Sequence, residues 1–214
     1  MSVIKIIKPI LDRLSTAKEE SVCSLAEKEK IEELMFCNET FSELETTCQT
    51  INRCEFNGCI FDHCKFSKAQ LNDVVFKNCD LSNINLTGCI FYRVEFIQCK
   101  LMGTNLPETA LNYVLFNGCN CRYINFSFSK MRNVLFLECD LQAAIFGNCK
   151  FIPSAFEKCN LAESEFSHTS LKGIDLRDSS ITDIQANMPD LRGCIVNSLQ
   201  AVELSKLLGI HIKD

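Results

Sequence analysis

Fifteen cysteines, three histidines and 27 acidic residues are the groups with chemistry to offer in this 214-residue sequence. A zinc centre would need four converging ligands, commonly with cysteine pairs about two to four residues apart. Cys119 and Cys121 make only a C-x-C pair. Eleven of the fifteen (Cys54, Cys59, Cys64, Cys79, Cys89, Cys99, Cys119, Cys139, Cys149, Cys159 and Cys194) fall at multiples of five from one another. Ala, Val, Ser, Thr or Ile fills the same place elsewhere, so the thiols read as small, reduced, buried side chains. Stacked cysteines ~4.8 Å apart would bring Cα atoms within disulfide range, but parallel side chains would leave the Cβ atoms farther apart than the ~3.8 Å a disulfide requires. His63, His168 and His211 are scattered, and no glycine-rich loop opens a helix. No catalytic grouping, metal or cofactor is therefore expected.

The carboxylates are unevenly spread. Acids and bases nearly balance over 36–156, but between Glu157 and Asp190 seven acids face only Lys158, Lys172 and Arg177. Glu163, Glu165, Asp175, Asp178 and Asp183 form a candidate acidic patch for a partner, able to act by long-range steering. The net charge of −5 argues against direct nucleic-acid binding, which relies on clustered Lys and Arg. A weaker, apolar candidate surface consists of Ile97, Leu115, Leu135 and Leu137 on one side, with Tyr113, Tyr123 and Phe128 at nearby corners.

What must position these groups is a repeat of five. From Phe36 to Val196 a bulky apolar residue recurs at every fifth place, as at Phe56, Phe61, Phe66, Leu71, Phe76 and Leu81, with a small residue two before it. Fifteen of the sixteen phenylalanines sit at such centres. Neither a helix, with period 3.6, nor a strand, with period 2, produces this pattern; it asks for a chain that turns a corner every five residues. A second period of twenty is superimposed: Phe at 36, 56, 76, 96, 116, 136 and 156, and Val at 74, 94, 114 and 134. Four pentapeptides then make one coil, and about eight coils make a four-sided β-solenoid on the order of 40 Å long, its interior filled by side chains. Gly58, Gly88, Gly103, Gly118, Gly173 and Gly193 all lie two after a centre, where a corner needs unusual φ.

Three segments follow. Residues 1–33 should cap the first coil in helical or irregular form, with a helix through ILDRLSTAKEE after Pro9 and a capping box at Ser24 and Glu27. Residues 34–197 form the repeat. In 198–214 a helix from about Ser198 to Leu208 is stopped by Gly209 and followed by a short strand around Ile210 and Ile212. This tail either caps its own rod or joins two rods about a two-fold axis. With no apolar run long enough to span a membrane and no signal-peptide pattern, a soluble cytoplasmic protein is expected.

The uninterrupted stretches FKNCDLSNINLTGCIF and SLKGIDLRDSSI resemble the pentapeptide-repeat family, whose members are right-handed quadrilateral β-helices, an all-β fold. The tail NSLQAVELSKLLGIHI is similar to the C-terminal dimerisation segment of the Qnr-type and mycobacterial fluoroquinolone-resistance members. The resemblance implies a DNA-mimicking homodimer that binds DNA gyrase and topoisomerase IV and protects them from quinolones. It further implies a dimer interface at Leu199, Val202, Leu204, Leu207, Leu208, Ile210 and Ile212. No insertion breaks the register, so the likeness is closer to the loop-free, chromosomally encoded relatives. The alternative is a structural or scaffold repeat protein with an unrelated partner, because fold alone does not give function.

Overall fold

The computed structural model describes residues 4–17 and 28–210 and shows a parallel β-solenoid closed at its C-terminal end by a short helix. Strand β1 (Ser15–Thr16) precedes the coils. The first coils contain β2 (Lys30–Glu32), β3 (Leu34–Cys37), β4 (Thr40–Ser42), β5 (Glu45–Thr47), β6 (Thr50–Asn57), β7 (Ile60–Asp62) and β8 (Lys65–Ser67). The longer strands β9 (Gln70–Lys77), β10 (Ile90–Ile97), β11 (Ala110–Asn117), β12 (Lys130–Leu137) and β13 (Lys150–Glu157) continue the main sheet. Every pairing among the coils is parallel and offset by twenty, such as Phe96 with Phe116 and Val114 with Val134. Isolated bridges carry the ladder on to Asp175 and Ile195.

The eight-residue strands each cover two adjacent sides of the rod, bent between them at a left-handed residue such as Asp73 or Arg93. We number the sides by their centres: the first through Ile51, Leu71 and Phe91, the second through Phe56, Phe76 and Phe96, the third through Phe61, Leu81 and Leu101, the fourth through Phe66, Leu86 and Leu106. Corner residues two after a centre take positive φ, whether glycine (Gly103, 68°) or not (Asn78, 52°; Phe128, 62°). At Gly103 an added Cβ would also meet Asn83 Oδ1 at 2.3 Å, so a side chain there would have to displace the Asn83 amide as well as adopt a left-handed backbone.

The interior is two kinds of column. Phe36, Phe56, Phe76, Phe96, Phe116, Phe136 and Phe156 stack with ring centroids 4.7–5.1 Å apart, near the spacing of adjacent strands. Phe126, Phe146 and Phe166 form a second stack that meets the first edge-to-face. Burial of each ring contributes about 2 kcal/mol. Of the four weaker centres of the repeat, Thr46, Cys121 and Met131 are buried, and Ala186 is half-buried against the core. An opening inside, bounded by Phe61, Phe66 and Phe91, is about 20 Å³, enough for a water at most.

Both ends depart in part from expectation. The repeat reaches one unit further back, because Ile31 is buried and pairs with Ile51. The segment 10–17 is not helical. Ser15 and Ala17 donate their N–H groups to the carbonyls of Glu33 and Met35, so this stretch adds a strand edge to the first coil instead. Upstream of it the chain runs along the rod, where the Ile10 N–H donates to Asp73 Oδ1 at 3.0 Å. Ser24 and Glu27 lie outside the described residues. At the other end α1 (Ser198–Ser205) continues as a 3-10 turn (Lys206–Leu208) and stops at Gly209, φ 72°. Ile210 is not in a strand, and Ile212 lies outside the described residues.

Candidate partner-binding surfaces

Which outward side chains meet is decided by the period of twenty rather than by closeness in sequence. Glu163 and Asp183 occupy the same corner, between the third and fourth sides, in successive coils. The helix adds a third carboxylate to that column: Glu203 Oε1 accepts the Asp183 N–H at 3.2 Å. Glu165 stands on the fourth side, paired in the ladder with Gln185. Asp175 and Asp178 belong to the second side and its far corner, so the five proposed acids do not form one patch. Two of them also have cations at hand. Arg177 holds Asp175 in a two-pronged pair, Nε to Oδ1 at 2.9 Å and Nη2 to Oδ2 at 2.7 Å, and these bonds lower the Asp175 pKa. Lys206 Nζ lies 3.8 Å from Asp183 and 2.8 Å from Glu203, whose carboxyl it lowers. Glu203 is the acid that the sequence reading missed; it lies on α1, beyond the repeat, and reaches Asp183 because the helix docks on the last coil.

The apolar set divides similarly. Leu115 and Leu135 are ladder neighbours on the second side, and Ile97 and Leu137 lie in the parallel row of the same side. Tyr113 sits at the corner between the first two sides and meets Tyr92 edge-to-face at 6.0 Å. Tyr123 and Phe128 occupy two other corners and are more than half exposed. The N-terminal segment lies nearer the first coils, where Val75 and Glu95 are buried although their places in the repeat face outward. Burial raises the Glu95 carboxyl pKa, opposed by the charges of Lys8 and Lys77.

At the tail, Leu199, Val202, Leu207, Leu208 and Ile210 are exposed, whereas Leu204 packs against the rod's own core. The helix is fixed by polar contacts. Asn197 and Gln200 form a reciprocal capping box, and Gln200 Nε2 donates to the carbonyls of Leu176 and Ser179 at 2.7 and 2.8 Å. The Ser179 carbonyl has no further coil to receive it, so Gln200 supplies the missing donor; its bond to the Leu176 carbonyl adds to the one that carbonyl accepts from the Ser179 N–H at 3.0 Å.

The thiols two places before the centres are enclosed, Cys194 only in part, and act as hydrogen-bond donors. Cys79 Sγ donates to the Phe56 carbonyl at 3.3 Å and Cys119 to that of Phe96 at 3.4 Å. Burial pushes the Cys54 thiol up to about 11 and those of Cys89 and Cys149 up to about 12. Such thiols are poor nucleophiles.

The sequence model described as "Pentapeptide repeat region" matches residues 73–146 and 89–166, and that described as "Pentapeptide repeats (8 copies)" matches 50–78. No curated protein matches the chain. Among solved structures, a variant of QnrB1, described as a plasmid-mediated fluoroquinolone resistance protein, is 25% identical over 86% of this chain and 92% of its own, with a TM-score of 0.48. HetL, a pentapeptide-repeat protein from the cyanobacterium Nostoc involved in heterocyst differentiation regulation, is 15% identical over 78% of this chain and 91% of its own, with a TM-score of 0.38. A thylakoid-lumen relative from Arabidopsis thaliana is 15% identical over 64% of this chain and 70% of its own, with a TM-score of 0.21. With family matches that together span 50–166 and a parallel ladder paired at intervals of twenty residues, the chain belongs to the pentapeptide-repeat family.

Proposed function

We propose that the chain is a non-enzymatic, dimeric DNA mimic that binds the type II topoisomerases DNA gyrase and topoisomerase IV and protects them from quinolones. The observation that carries this reading is the corner column Glu163, Asp183 and Glu203 at the end of the rod where the exposed apolar helix sits. Carboxylates repeating at the coil spacing of ~4.8 Å offer a basic saddle a row of anions on a stiff rod. Two rods joined through their helices would bring two such columns together into a central negative region. The similarity of the tail to the dimerisation segment of Qnr-type members gives the choice of partner.

The test is a set of amide variants in gyrase binding and supercoiling assays with and without a quinolone. Replacing Glu163, Glu165, Asp175, Asp178 and Asp183 together by Gln or Asn should weaken gyrase binding and remove protection, with the melting temperature retained. The corner column should account for most of this loss: its three carboxylates share one cation, Lys206, whereas Asp175 has Arg177 to itself, so E163Q/D183N/E203Q is expected to act more strongly than D175N. Unchanged binding by the five-fold variant would refute the proposal.

A further inference from the structure

The first side of the rod carries a different charge. In its later coils it presents Lys130, Arg132, Lys150, Lys172 and Arg192, all exposed. Between Lys100 and Lys206 the remaining bases, Lys100, Arg122, Lys158, Arg177 and Lys206, lie on other sides or on the helix, and each is within 4.0 Å of a carboxylate. Among the described residues the five on the first side have no such partner. The carboxylate on this stretch of the side, Asp190, is engaged by the His168 N–H and by Asn187 Nδ2. Lys130 and Lys150 are direct neighbours in the parallel ladder. Like charges placed opposite one another across strands are destabilising. The chain thus keeps an unfavourable row here while pairing its bases elsewhere in the same coils.

Apolar groups stand among these cations. Ile152, 45% exposed, lies between Arg132 and Lys172 in its row, and Phe128, 62% exposed, occupies the adjoining corner in a left-handed conformation costly for a bulky residue. A phosphate backbone gains little from such groups, whereas an acidic protein segment can match both. The rod already accepts one segment of chain, three and more coils earlier: Ile10 of the N-terminal stretch lies at the corner between the first and second sides, at Asp73.

We propose that this side binds an acidic, partly apolar segment of a protein partner in extended form. Its carboxylates meet the five cations, and its apolar side chains meet Phe128 and Ile152. From Lys130 to Arg192 is three coil steps, ~14 Å, which an extended segment of about five residues spans. The surface is separate from the corner column of carboxylates, so it stands whether or not the partner proposed above is the right one.

Fluorescence anisotropy of the full chain with three labelled probes tests it: a short peptide rich in Glu, Leu and Phe, the same peptide with Gln for Glu, and a short DNA duplex. The Glu peptide should bind best, and more weakly as salt rises through the physiological range. K130Q/R132Q/K150Q/K172Q should weaken that binding at least ~tenfold with an unchanged melting temperature, whereas E163Q/D183N/E203Q should leave it intact. F128S should weaken it without altering its salt dependence. The proposal is overturned if the Glu peptide does not bind, if the Gln peptide or the four-fold variant binds as well, or if the duplex binds more tightly.

Discussion

At the residue scale, the place two before each bulky centre is more than a gap to be filled. Cys59, Thr104, Ser129 and Ser164 each donate to the carbonyl twenty-three residues earlier, that of the centre one coil below. Cys, Ser and Thr therefore share this place with Ala and Val because it accepts either a small apolar group or a donor that satisfies a second lone pair. The periodicity gave the burial of the thiols but not this bond, which joins residues far apart in sequence. Burial also sets their response to alkali. An unfolded thiol ionises near 9, whereas Cys89 and Cys149 in the fold wait until about 12. Above pH 9 the unfolded chain thus binds fewer protons than the native one, and stability must fall as pH rises. Denaturation followed from pH 7 to 12 should show little thiol-dependent change up to about 9 and then a loss of about 1.4 kcal/mol per pH unit for each such thiol. A thiol reagent at neutral pH should find exposed Cys37 and Cys48 while sparing the buried column; rapid reaction of most thiols in the native protein would contradict this.

At the element scale, a solenoid must satisfy the backbone groups its first and last coils leave unpaired, and the two ends do so differently. The first coil borrows a strand from the N-terminal segment, and the last is closed by side chains of α1. The helix itself was legible, since Asn197, the spaced apolar residues and Gly209 mark it locally. The strand at Ser15–Thr16 was not. Pro9 and the charged stretch after it suit a helix, and what overrides that preference is an edge nineteen residues further on, Leu34–Met35, which no local pattern announces. Gln200 is the closing group at the other end. Gln200→Ala should cost about 1–3 kcal/mol, because it removes the amide donor from the Ser179 carbonyl in a buried place, leaves the Leu176 carbonyl with only the Ser179 N–H, and breaks the capping box. Thermal melting compares it with Gln200→Glu, which retains the size but loses the donating amide and should be destabilised too. A melting temperature equal to the parent's in both would show that the end coil needs no such cap.

At the scale of the whole molecule, the periods of five and twenty reveal the rod because every coil repeats the same local instruction. Surfaces are harder to read, because a run of acids along the chain wraps around the rod. Asp175 and Asp183 are eight residues apart and lie on different sides, while Glu163 and Asp183 are twenty apart and share a corner. Counting by position in the coil rather than along the chain would have separated Asp175 from Glu163 and Asp183, whereas Glu203 joins them only through the docking of α1 on the last coil. The same geometry bears on assembly. Leu199 is 80% exposed, and Val202, Leu208 and Ile210 are exposed beside it, whereas Leu204 turns to the rod. A helix that spends one apolar residue on its own core and presents the others to solvent is suited to an isologous interface with a second copy. Sedimentation is then expected to give about twice the 24.2 kDa of one chain. Deletion from Leu199 onward is an ambiguous probe, since it also removes the Gln200 cap and should yield monomers or insoluble protein. L199D/V202D retains that cap and alters only exposed positions, so it should give a folded monomer with the parent's melting behaviour at low concentration. If the parent chain sediments as a monomer at micromolar concentrations, the dimer and the joined acidic region that depends on it fall together, while the peptide-binding side, which needs only one rod, is unaffected.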